Sequence, residues 1–158
     1  MAYARDSIRE RLLACLEQLD RRCIVYGVPS AESRRNLDCR TLSPEFVQDL
    51  ARCSCVVSTA GHQLISEACY LGKPILAIPE PGQYEQYVNA FYLDKVGTGV
   101  RCDLHRLTPS VIGEFASAAV PQPRRSAEGA AEVAKVIQTE LRATRRADVL
   151  PQPKEAFA

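Results

Sequence analysis

The residue types best suited to chemistry fall in one stretch, Ser58 to Asn89, which reads STAGHQLISEACYLGKPILAIPEPGQYEQYVN. A β-rich run, Cys55-Val56-Val57-Ser58, leads into a turn of small residues, Thr59-Ala60-Gly61, and then a helix expected from about His62 to Leu71. The start of a helix carries amide groups without internal partners and the positive end of the macrodipole, which suits a phosphate. Gly61 lets the backbone approach an anion closely, and His62 and Gln63 add donors. Glu67 lies about one and a half turns further in. A carboxylate there can accept two hydrogen bonds from a ribose diol, as acids do in dinucleotide folds. After the next strand come Gln83, Glu85, Gln86 and Asn89, a cluster of hydrogen-bonding groups. Each piece has a plainer reading alone: a turn without ligand, a capping histidine, a solvated acid, a polar loop. Their order and spacing together favour a binding site.

The flanking segments predict the frame that holds this stretch. Ile8, Leu12, Leu13, Leu16 and Leu19 repeat at helical spacing over residues 6–19. Cys23 to Tyr26 is a short strand closed by Gly27 and Pro29, and Leu37 to Leu42 another. Ser43-Pro44-Glu45 opens a helix, with Ser43 as cap and proline at the first position; Phe46, Val47, Leu50 and Ala51 give its apolar face. Gly72-Lys73-Pro74 stops the helix that begins at His62. Strands at Ile75–Ile78 and Gly99–Cys102, and helices at 84–96, from Thr108-Pro109 and at 127–143, complete the alternation. Strands alternating with helices through short loops predict an α/β fold with a Rossmann-like, doubly wound parallel sheet. In such a sheet, ligands bind at the carboxyl ends of the strands.

Taken with these elements, the stretch resembles the donor-site signature of GT-B glycosyltransferases. It is most similar to the transferases related to the bacterial lipid II N-acetylglucosamine transferase and to the UDP-glucuronosyl/glucosyl transferases. The resemblance covers roughly residues 22 to 115. It implies that Thr59-Ala60-Gly61 is the donor turn, that Glu67 binds the ribose, and that Pro79, Glu85, Gln86, Asn89 and Ala90 match the segment that contacts the transferred sugar. Leu42-Ser43-Pro44-Glu45-Phe46 matches the base-contacting loop, with Phe46 at its end. Thr59 stands where the glucuronosyl/glucosyl group has histidine, and Glu85-Gln86 where the lipid II enzyme has two glutamines. The implied function is the donor-binding half of a glycosyltransferase, the C-terminal half of a GT-B fold. It moves a sugar from a nucleoside diphosphate sugar, expected to be a UDP-sugar, to an acceptor hydroxyl. No D-x-D metal motif is present, so metal-independent chemistry is expected, with no cofactor. A UDP-sugar 2-epimerase-like domain and a non-catalytic nucleotide-sugar-binding subunit are the alternatives.

Length and composition agree with this reading and narrow it. The chain has 158 residues, 46% of them apolar and 25% charged, with net charge +1. That suits one soluble domain and excludes bulk electrostatic attraction to nucleic acid. The domain is expected over residues 1–143, with a mobile tail at 144–158. No apolar run approaches the roughly 20 residues of a membrane span. Seven cysteines sit mostly among apolar neighbours and form no metal-site spacing, so a reducing cytoplasm is expected. In the doubly wound order the first strand is central, yet only Met1 to Ala4 precede the first helix. The sequence therefore predicts a first strand that is lacking or reduced to its end. It also predicts an acceptor-binding domain or partner subunit that completes the catalyst, with any membrane association made through that partner.

Overall fold

A computed structural model describes residues 1–3, 6–121 and 129–147. Six parallel strands form one sheet: β1 (Ala2–Tyr3), β2 (Cys23–Tyr26), β3 (Leu37–Arg40), β4 (Val56–Ser58), β5 (Ile75–Ala77) and β6 (Gly99–Arg101), in the spatial order β3-β2-β1-β4-β5-β6. This is the order of a dinucleotide-binding fold, with its topological switch between β1 and β4. The central position is filled by two residues. Ala2 pairs with Val25 on one side and Val57 on the other, and Tyr3 pairs with Tyr26. This two-residue strand keeps the two halves of the sheet continuous.

Five helices accompany the sheet: α1 (Asp6–Glu17), α2 (Glu45–Arg52), α3 (His62–Tyr70), α4 (Tyr84–Lys95) and α5 (Pro109–Ala118). Alternation along the strands sorts the core onto two faces. Val57, Leu76 and Ile78 pack with Ile8, Leu12 and Leu16 of α1 and Ile112 of α5. Val56, Ile75 and Ala77 pack with Leu50 of α2, Ala68 of α3, and Ala90 and Leu93 of α4. The sheet is therefore covered on both sides, which is why β4 and β5 read as unbroken apolar runs.

Local signals end several of these elements close to where the sequence places them, while β3 stops at Arg40, two residues before the expected Leu42, and α1 at Glu17, two before Leu19. Gly72 adopts φ 68°, and the Lys73 amide donates to the Ala68 carbonyl, closing α3 in a Schellman turn. Thr108 caps α5 by accepting from the Val111 amide. Ser43 does not cap α2. Pro44 takes the cap position in helical conformation, and no side chain caps this end. The Ser43 hydroxyl bonds the Glu45 carboxylate instead, holding its pKa below the usual range, while the Ser43 carbonyl accepts from Phe46. All seven cysteines are free, and five of them are buried.

The chain divides into two compact units, Met1–Arg125 and Ser126–Ala158. The described part of the second is one helix, α6 (Gly129–Ala147), which carries exposed Val133, Val136, Ile137 and Leu141. This helix runs four residues past the expected start of the tail at 144; residues 148–158 of that tail lie outside the described residues. Among the described residues no helix is long and apolar enough to cross a membrane.

Gly99 marks the tightest backbone approach in the sheet. A Cβ there would lie 2.5 Å from the Ile75 carbonyl oxygen and 2.6 Å from Leu93 Cδ2. The carbonyl belongs to the neighbouring strand and cannot yield without breaking the β5–β6 pairing. Gly99→Ala is expected to destabilise the domain by about 1–3 kcal/mol, the scale of overpacking, read as a lower denaturation midpoint in urea.

Candidate functional site

The loops after β3, β4 and β5 meet at the carboxyl edge of the sheet. Between them lies a crevice of about 600 Å³ lined by Leu42, Ser43, Phe46, Val47, Ser58, Thr59, Gly61, His62, Gln63, Leu64, Glu67 and Glu85. Its volume falls in the range of small-ligand sites. Phe46, Thr59, Gly61, His62, Gln63, Glu67 and Glu85, spread over 40 positions of sequence, are thus brought to one cavity.

The β4–α3 turn forms the floor of this crevice. Ser58 and Thr59 are almost fully buried, and Ala60 is buried in the left-handed region at φ 66°. Such a conformation costs a non-glycine residue roughly 1–2 kcal/mol. Asn89 Nδ2 donates to the Ala60 carbonyl at 3.1 Å and holds the turn from α4. Gly61, the next residue, begins α3 with φ −62° and ψ 136°, and no side chain caps this helix start. The first amides of α3 therefore open toward the crevice with the positive end of the helix dipole.

Gly61 is informative because its backbone does not require glycine. Its φ is one that any residue adopts, and a Cβ there would meet nothing within 4 Å. A methyl would simply project into open space at the mouth of the turn. The fold alone gives no reason for glycine here, whereas a ligand lying against the turn does.

One turn deeper, Gln63 Nε2 donates to Glu67 Oε1 at 3.0 Å, which orients the half-buried carboxylate along the crevice wall. The half-buried ring of Phe46, flanked by exposed Leu42 and Val47, lines it too. The crevice thus combines an apolar wall, a carboxylate and the positive end of a helix dipole. Val47 and Leu64 also line it; in the sequence they read only as apolar helix residues, and nothing marks them as wall rather than core.

The remaining expected contacts are placed differently. Gln83 lines a separate cavity of about 580 Å³ with Pro79, Glu80, Tyr84, Tyr87 and His105. Gln86 is buried; its Oε1 accepts from the Glu80 amide at 2.9 Å and its Nε2 donates to Glu80 Oε1 at 3.1 Å. Gln86 braces the loop between β5 and α4, and Asn89 braces the Ala60 turn. Two residues expected to touch the sugar therefore hold the two loops on either side of the crevice, with Glu85 beside them on its wall.

A doubly wound sheet with an uncapped helix start, a nearby carboxylate and an aromatic wall at its carboxyl edge defines a Rossmann-like α/β domain with a candidate ligand crevice. Comparison narrows the class. The profile of glycosyl transferase family 1 matches residues 1–121, and the chain belongs to this family. It is 31% identical over 78 residues to the UDP-N-acetylglucosamine–N-acetylmuramyl-(pentapeptide) pyrophosphoryl-undecaprenol N-acetylglucosamine transferase of Rhodopseudomonas palustris (strain BisA53), a match spanning 48% of this chain and 21% of that enzyme. Among solved structures, the glycosyltransferase VinC in complex with dTDP superposes with TM-score 0.60 at 18% identity, over 74% of this chain and 32% of that one. The glycotransferase of kitacinnamycin gives 0.59 at 18% identity, over 94% and 41%. MurG of Acinetobacter baumannii gives 0.54 at 20% identity, over 73% and 39%. The fold is that of one Rossmann-like half of these GT-B enzymes, and the chain spans less than half the length of each of these relatives.

Because alanine suits the backbone at position 61, Gly61→Ala is expected to raise stability by about 0.4–1 kcal/mol through the less flexible unfolded chain. A thermal melt checks this, and a lower melting temperature would mean that the turn needs glycine for its own sake.

Proposed function

We propose that this chain binds the donor of a sugar transfer: a nucleoside diphosphate sugar, with uridine as the preferred base. The uncapped start of α3 at the floor of the crevice carries the reading. In it the diphosphate lies against the amides that follow Gly61, the ribose diol is held by Glu67, and the base lies against Phe46. Membership of glycosyl transferase family 1 and the nucleotide sugar named for the Rhodopseudomonas enzyme support this orientation.

In the reaction, the acceptor oxygen forms a bond to the anomeric carbon and gives up its proton to a base on the acceptor side or to water. The bond from that carbon to the diphosphate breaks, and the diphosphate departs with the electron pair. Charge therefore grows on the phosphate oxygens, and preorganised amides at a helix start stabilise that growth without reorganisation. Glu67, oriented by Gln63, fixes the ribose and so the position of the reactive carbon. Glu85, exposed on the crevice wall, is the group on the sugar side. His62 lies at the helix start and serves as a phosphate or sugar contact in this reading. The amides supply the stabilisation, so no metal is required. The acceptor is held by a further domain or a partner subunit, through which the assembly reaches any membrane-bound acceptor.

Calorimetry with UDP tests the donor reading. Glu67→Ala is expected to weaken binding by about 1–3 kcal/mol, the scale for stranding polar partners. Equal affinity for variant and parent would remove the ribose assignment. Addition of EDTA is expected to leave the UDP affinity unchanged, and a loss on chelation that magnesium restores would put a metal into the site.

A further inference from the structure

A partly buried polar network lies behind Phe46. Tyr26 ends β2 and is fully buried. Its hydroxyl donates to Asp49 Oδ2 at 2.7 Å, and its ring meets the Phe46 ring edge-on, with centroids 4.9 Å apart and planes at 80°. Asp49 and Phe46 are three residues apart on α2 and so share a helix face. Arg40, at the end of β3, pairs with the same Asp49 oxygen and also with Asp38, at 2.6 Å; Asp38 in turn takes Arg22 at 3.0 Å. Burial and the Asp49 bond push the Tyr26 phenol above its ordinary pKa, so it remains a donor across the neutral range.

Three elements therefore converge on one ring. Leu50 anchors α2 in the core and Phe46 packs against the same cluster, so the polar network adds to a ring position that the core already favours. A buried phenol and carboxylate are costly unless fully bonded. What they provide is direction: the bond to Asp49 fixes where the long axis of the Tyr26 ring points, and Phe46 rests edge-on against that ring. A planar aromatic held at a fixed tilt is a preorganised surface for a planar heterocycle, since the ring loses no further freedom when the ligand arrives.

We propose that Tyr26, Asp49 and Arg40 are positioning residues for base recognition: they hold Phe46 as the face on which the nucleobase of the donor rests. This rests on the donor reading of the crevice and adds to it a group of residues that never touch the ligand. Recognition of the base then depends on contacts behind the crevice wall, whereas recognition of the diphosphate depends on the α3 turn.

A double-mutant cycle tests this. UDP and inorganic pyrophosphate are titrated into the parent, Tyr26→Phe, Phe46→Leu and the double variant. Tyr26→Phe keeps the ring and removes only the hydroxyl. It is expected to raise the Kd for UDP about three- to tenfold, the scale of one net hydrogen bond, and to leave pyrophosphate binding unchanged. The double variant is expected to bind UDP no more weakly than Phe46→Leu alone, because the network acts through that ring. Additive losses, or equal losses for UDP and pyrophosphate, would overturn the proposal in favour of a purely structural network. If pyrophosphate binds too weakly to measure, the UDP cycle alone decides. Asp49→Asn, which keeps an acceptor for the phenol but removes the charge facing Arg40, serves if Tyr26→Phe does not fold; it is expected to show the same dependence on Phe46. A parent that binds neither ligand removes the donor reading and this inference together. A parent that binds UDP no better than Tyr26→Phe does removes this inference alone.

Discussion

The site depends on the hydrogen bond from the Asn89 side chain to the Ala60 carbonyl. Ala60 occupies a conformation that glycine would enter freely and that alanine enters at a cost. Held there, the chain turns sharply out of β4 and enters α3 with its first amides facing the crevice. The holding group comes from α4, so the turn at the crevice floor is set by tertiary packing and not by its own residues. Gln86, one turn earlier on the same helix, holds the β5–α4 loop through Glu80. One helix therefore fixes both walls, and strain in the turn is sustained because its surroundings over-determine it.

That arrangement needs a continuous sheet, and continuity comes from very little. Two residues of β1 join β2 to β4 at the point where the strand order reverses. The switch point is where helices diverge to opposite faces and leave a crevice between them. On either side, alternating side chains of β4 and β5 feed two separate cores. The rigid parts of the site, Ser58, Thr59 and Ala60, continue directly from a strand buried on both faces, and the groups offered to a ligand stand on the helix that follows. A precise site on a stiff strand end with exposed groups just beyond it is what transfer chemistry requires, since misplacing the reactive carbon by an ångström forfeits much of the rate.

The crevice combines unlike surroundings. The uncapped start of α3, the carboxylates of Glu67 and Glu85 and the apolar side chains of Phe46, Leu42 and Val47 all line it. Its aromatic wall is backed by the partly buried Tyr26–Asp49–Arg40 network, so charges outside the crevice help to hold an uncharged part of its lining.

Much of this was legible in the residues. Alternating strand and helix runs, the glycine after α3 and the capping Thr108 are local signals whose physics acts within a few residues, and they led to the α/β order and to most element ends. The STAG turn and Glu67 could be grouped because spacing along one strand-turn-helix unit determines which side chains face its open end; Glu85 stands on the next unit, which opens at the same edge of the sheet. Ser43 misled because a hydroxyl beside a first-turn acid can bond that acid as readily as the helix amides. Gln86 and Asn89 read as ligand groups because a side-chain amide looks the same whether it meets a sugar or a backbone; only packing decided that they brace loops. Tyr26, Asp49 and Arg40 carried no signal at all, since they lie on three elements and meet only when the sheet closes. Short-range order was thus written in the sequence, while the partners of each buried polar group were decided by tertiary structure, because a hydrogen bond across the fold depends on positions that no local pattern encodes.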